Sequence, residues 1–112
     1  MKHFMINNYT MLLGENMLEN KNLIEKCDSN YIWLCVNDFP SINVIIESHK
    51  VPPKILESAG HFCFHNTNHG NTKSATITTS KISNVILSEN SVMFKTDKDV
   101  QSFTLNFYEK HS

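Results

Sequence analysis

An α+β fold is what this 112-residue sequence predicts: one twisted antiparallel sheet of six or seven strands with an N-terminal helix packed on it. Three observations carry that expectation. Only residues 14–27 combine apolar spacings of one and two helical turns with charged residues between them. From residue 31 onward the apolar period is close to two. The connections between the later segments are short, and short connections force antiparallel neighbours. The number of strands would also let the sheet curl toward a barrel.

Taken in order, "HFMI" and "YTMLL" read as a short strand leading into the helix. In "GENMLENKNLIEKC", Met17, Leu18, Leu23, Ile24 and Cys27 line one face and Glu15, Glu19, Glu25 and Lys26 lie between them, the pattern of an amphipathic helix. "DSN" at 28–30 ends it. "YIWLCVN" is apolar on both faces, with Tyr31, Trp33 and Cys35 on one and Ile32, Leu34 and Val36 on the other, as in a strand covered on both sides. "DFPS" reads as a turn pivoting on Pro40, and "INVIIES" as the returning strand of a hairpin.

"HKVPP" cannot continue a strand, because adjacent prolines remove two ladder donors. "KILESAG" reads as one or two helical turns ended by Gly60. "HFCFH" at 61–65 then alternates like a strand, "TNHGN" turns, and "SATITT" is a polar strand. "NVILS", "VMFKT" and "VQSFTLNFYE" follow, separated by the turns "SENS" and "TDKD". In the last strand Phe103, Leu105 and Phe107 share one face. No internal repeat or linker interrupts the chain, so residues 1–112 are read as a single domain.

Composition narrows the function classes. All ten basic residues are lysine and none is arginine, and no five-residue window holds more than two of them. Bidentate recognition of phosphate or guanine favours arginine, and a nucleic-acid footprint favours clustered charge, so direct nucleic-acid binding is not expected. Three cysteines cannot pair completely, and the longest apolar run, "YIWLCV", is too short to span a membrane. The chain therefore reads as a cytoplasmic protein with reduced thiols and no membrane contact.

The chemistry-bearing stretch is "AGHFCFHNTNHGN". As a strand it would put His61, Cys63 and His65 on one face, with His69 returning from the next turn, a set that resembles zinc ligands. All four come from one segment, where separated pairs are the stronger zinc signature, so no metal or other cofactor is expected. Two imidazoles near a lysine could also serve as general acid and base in RNA cleavage, yet no catalytic motif accompanies them, and the chain is read as a non-enzyme.

Charge is uneven along the chain. Residues 11–48 hold six acids and two lysines, a balance of −4 in a protein of net charge −1. Glu15, Glu19, Asp28, Asp38 and Glu47 are therefore the candidate partner-binding residues, an acidic face that would steer a basic protein partner. Tyr31, Trp33 or Phe39 could supply an aromatic anchor, although the core has the stronger claim on Trp33. A small, motif-free chain with such a face resembles bacterial immunity proteins, especially those of contact-dependent growth inhibition systems, which bind and block a cognate toxin domain. The resemblance covers size, composition and the lack of catalytic equipment. It implies an inhibitor of a toxin, often a nuclease; the alternatives are a small-ligand or metal-binding module on "HFCFH" and a His-based RNase-like enzyme.

Overall fold

The chain begins with a tight hairpin. In the computed structural model, which describes residues 2–68, 70, 72–89 and 91–106, strand β1 (Lys2–Ile6) pairs with β2 (Tyr9–Gly14), Ile6 opposite Tyr9. The two loop residues, Asn7 and Asn8, have φ of 45° and 72°. A two-residue hairpin whose twist matches its strands needs positive φ at both positions, and asparagine tolerates it better than other non-glycine residues. "YTMLL" therefore belongs to a second strand and does not run into the helix.

Helix α1 (Met17–Lys26) lies within the expected 14–27 stretch and starts three residues into it, because Gly14 ends β2. Asn16 caps it by accepting from the Glu19 backbone N–H at 2.9 Å, and Glu19 reaches back to accept from the Glu15 N–H at 2.9 Å. The first bond satisfies an N–H that the first helical turn leaves without a partner, and the second ties down the residue that precedes the cap.

Strands β3 (Ile32–Val36) and β4 (Phe39–Ile46) form the expected hairpin, with a bulge at Cys35/Val36. The turn, however, is Asn37–Asp38, and Pro40 lies inside β4. The β2 ladder ends at the Gly14–Asn43 pair, so no β2 partner requires an N–H from residue 40. β5 (Ser74–Lys81) pairs with β3, and β8 (Gln101–Asn106) with β5. The resulting open antiparallel sheet has the order β1-β2-β4-β3-β5-β8 and does not close into a barrel. β6 (Val85–Leu87) and β7 (Val92–Phe94) form a separate hairpin entered through a 3-10 turn at Ile82–Asn84.

The largest departure from the sequence reading is α2 (Pro53–His65), one continuous helix that absorbs "KILESAG" and "HFCFH" together. Its buried residues Ile55, Ala59, Gly60, Cys63 and Phe64 recur at helical spacing. Five alternating residues are too few to separate a strand from a buried helical turn, and here the longer period decides. Gly60 does not terminate the helix. A Cβ there would lie 3.1 Å from Ile77, 3.2 Å from Leu105 and 3.3 Å from Phe103, so glycine lets the helix lie close to β5 and β8.

The sheet is covered on both sides. Met11, Leu13, Leu34, Val36, Val44, Ile46, Ile77 and Leu105 meet α2 on one face, and Phe4 stacks on Phe62 with ring centroids 3.4 Å apart. Leu12, Trp33, Cys35 and Ile45 meet Leu23 of α1 and Val85 of the β6–β7 hairpin on the other. This two-sided cover is what the doubly apolar "YIWLCV" implies. Phe103 and Leu105 share the α2 face as expected, and Phe107 lies outside the described residues.

All three cysteines are free; Cys35 and Cys63 are buried and Cys27 half-buried. Burial pushes the Cys63 thiol up to about 12 and raises those of Cys35 and Cys27. Since the thiolate is the nucleophile, Cys35 and Cys63 will resist a thiol reagent at neutral pH until the protein unfolds, and Cys27 will react slowly. Rapid titration of more than one thiol in the native state would contradict this packing.

A lysine-lined groove as the candidate nucleic-acid interface

One end of the sheet gathers basic residues that lie far apart in the chain. β3 enters at Ile32, β5 leaves at Lys81, β8 begins at Gln101 and α2 starts beside them. Between these elements is a groove of ≈260 Å³ lined by Ile32, Val51, Leu56, Lys81, Lys98 and Gln101, with Asp99 as its one acid. Lys81 and Lys98 are the lysines that line it; Lys50 precedes the lining residue Val51 in sequence, Lys54 lies two residues before Leu56, and all four lysines are exposed. The groove floor is already satisfied: Thr79 donates its hydroxyl to the Trp33 carbonyl at 2.9 Å, and Ser80 accepts from Asn84 Nδ2 at 3.0 Å.

The start of α2 adds positive potential. Its N-cap is Pro52, which supplies no side-chain acceptor, and its first turn holds no acidic residue. Aligned peptide dipoles leave a partial positive charge at such an end, so Lys54 and the helix terminus act in the same direction. The groove sets two lysines, Lys81 and Lys98, beside an apolar strip formed by Ile32, Val51 and Leu56.

The five acids singled out from sequence are placed in two groups and a turn. Glu15 and Glu19 sit at the start of α1, where Glu15 pairs with Lys2 at 3.8 Å and Glu19 holds the cap. The backbone N–H of Glu15 lowers the Glu19 pKa. Asp28 and Glu47 lie at the other end, after α1 and β4, and Asp38 is in the β3–β4 turn. Asp28 accepts from the Asn30 N–H at 2.8 Å and pairs with His49 Nε2 at 2.9 Å. These partners, the Asn30 N–H first and then His49, depress the Asp28 pKa. A depressed carboxylate stabilises the fold above its unfolded pKa, near 4, and loses that contribution as pH falls through the folded value. Asp28→Asn should therefore lower the thermal midpoint at pH 7 and not at pH 2.5, as thermal scans at the two pH values would show.

The histidine segment changes most. On α2, His61 and His65 are one turn apart with ring centroids 6.5 Å apart, while Cys63 turns inward and donates its thiol to the Ile42 carbonyl at 3.6 Å. The expected single face of His61, Cys63 and His65 is thereby split between surface and core, and His69 lies outside the described residues. Among the described residues no three His, Cys, Asp or Glu side chains converge on a metal position. The aromatic candidates are also absorbed: Trp33 is fully buried, and Tyr31 and Phe39 pack against the core. No described helix is long and apolar enough to cross a membrane.

An open antiparallel sheet covered on both faces, with a lysine-lined groove at one end, defines an α+β domain. Residues 1–97 match the family model described as the NFACT protein RNA binding domain, and the chain belongs to that family. No curated protein matches the chain. Among solved structures, the C-terminal part of the fibronectin/fibrinogen-binding protein from Streptococcus suis superposes with a TM-score of 0.79 at 13% identity, a likeness of fold. The match covers 96% of this chain and 45% of that one, so the chain spans less than half of the relative's length.

Family membership overturns the immunity-protein resemblance, and with it the toxin-blocking function and the basic protein partner. It also overturns the expectation of no nucleic-acid contact. That expectation rested on lysines being dispersed in sequence, and Lys81 and Lys98 come to one groove only through the pairing of β5 with β8. The missed signal was "HKVPPK", where two lysines bracket a proline start to a helix.

Proposed function

We propose that this domain is a cytoplasmic RNA-binding module, without enzymatic activity of its own, that holds the RNA phosphate backbone in the lysine-lined groove. The observation that carries the reading is the placement of Lys81 and Lys98 inside the groove at an α2 N-terminus with no acid in its first turn. Membership of a family described as RNA-binding supports it. Lysine binds phosphate as a mobile point charge, so a groove without arginine favours backbone holding over base readout.

The test is a double variant, Lys81→Ala with Lys98→Ala, both exposed and outside the core. For single-stranded RNA each phosphate contact contributes about 0.7 to the slope of log affinity against log salt, so the slope should shrink by about 1.4. Affinity should fall to a similar degree for different RNA sequences, because phosphate contacts carry no sequence information. An unchanged salt slope, measured by anisotropy of a labelled RNA, would remove the groove from the interface.

A further inference from the structure

The face of the sheet opposite α2 is only partly covered. α1 and the β6–β7 hairpin close it over β2, β4 and β3, and the outer strands β5 and β8 leave Ser74, Thr76, Ser102, Thr104 and Asn106 exposed there. At the margin between covered and open sheet is a second groove, of ≈420 Å³, lined by Cys35, Asn37, Pro40, Thr78, Ser91, Val92 and Phe94. Its volume falls in the roughly 300–1,000 Å³ range of small-ligand sites. Phe94, Val92 and Pro40 form an apolar wall, and Phe94 is fixed by an edge contact with the buried Trp33 at 5.7 Å between centroids. Thr78 donates its hydroxyl to the Asn37 side-chain oxygen, which orients the Asn37 amide at the groove mouth.

We propose that this groove takes an unstacked base of single-stranded RNA, its flat face against Phe94 and its polar edge on the Asn37 amide. The inference rests on the RNA-binding reading and adds the strand form recognised. Aromatic or apolar faces beside a few polar groups suit bases freed from a duplex, whereas paired bases keep their faces covered. The geometry also joins the two grooves. Gln101 lines the lysine groove, and the next residue, Ser102, lies 3.3 Å from Thr78 of the second one, hydroxyl to hydroxyl. Both belong to β8, beyond which no described strand lies, so a strand of RNA can pass around that edge from one groove to the other.

The experiment compares two labelled RNAs, a single-stranded decamer and the same decamer without bases, by fluorescence anisotropy at low salt. The intact strand is expected to bind at least about tenfold tighter than the abasic one, in line with stacking of one base. In Asn37→Ala and, separately, in Phe94→Leu, which keeps apolar bulk beside Trp33, that ratio should fall toward one. If wild type binds both RNAs equally, or both variants keep the wild-type ratio, the base pocket is refuted while the phosphate groove stands. If neither RNA binds, both readings fall together.

Discussion

Replacing Trp33 with alanine will cost this domain about half of its stability or more. Trp33 is 0% exposed at the centre of the sheet, with Phe94 edge-on at 5.7 Å and its indole N–H donated to Asn43 Oδ1 at 2.9 Å. Truncating a buried tryptophan typically costs about 3–5 kcal/mol through lost burial and the cavity left behind. The cost does not end there, because Asn43 is itself buried and its carbonyl oxygen loses a donor, a penalty of about 1–3 kcal/mol. Small domains have only about 5–15 kcal/mol in total. Trp33→Phe keeps most of the volume and isolates the hydrogen bond, so it should cost less than Trp33→Ala. Urea unfolding of the three proteins gives the order directly. A loss under about 1 kcal/mol for the alanine variant would mean that the core does not depend on this side chain.

Salt will weaken RNA binding by more than an order of magnitude. If the exposed Lys50 and Lys54 each neutralise one phosphate as well as the groove lysines Lys81 and Lys98, the expected slope for a single strand is about −2.8. Raising monovalent salt fourfold, from about 0.05 to 0.2 M, then lowers affinity roughly fifty-fold by counterion release. The protein's net charge of −1 sharpens the test, since no global positive charge is available to produce the effect. A slope near zero would assign the binding to uncharged contacts. A normal slope that persists when all four lysines are changed to alanine would move the electrostatic contact to Lys21, Lys26, Lys73 or Lys95.

On the proposed reading, the two grooves divide recognition in a physically sensible way. One supplies charge and little shape, and the other supplies an apolar wall and one amide with no lysine in its lining. Charge sets affinity and association rate, whereas base contact sets strand preference. Variants in one groove should therefore change the salt slope, and variants in the other the preference for intact over abasic RNA.

Local patterns carried most of the architecture. The spacing of Met17, Leu18, Leu23, Ile24 and Cys27 located α1, although Leu18 is exposed, the two apolar faces of "YIWLCV" announced a strand buried on both sides, and Phe103 with Leu105 marked the inner face of the last described strand. These readings succeed because helix and strand periods are properties of neighbouring residues. "HFCFH" failed for a reason of the same kind: Phe62 and Phe64 alternate over a window shorter than two helical turns, and the helix is settled by contacts with the sheet such as Phe62 on Phe4 and Cys63 on the Ile42 carbonyl. Gly60 shows the same limit. A glycine that ends a helix and a glycine that lets one approach a sheet are identical in sequence, and the difference is the proximity of Ile77 and Leu105.

What the sequence determined by itself was the α+β class, the amphipathic first helix and the antiparallel strands, because each depends on periodicity within a few residues. The tertiary structure decided where charge collects. Lys81 at the end of β5 and Lys98 before β8 reach one groove only because β5 and β8 pair, while Cys63 and His65, two residues apart, are sent to core and surface. Charge and hydrogen bonding act through space, so a site built from them becomes legible only when the chain has closed on itself.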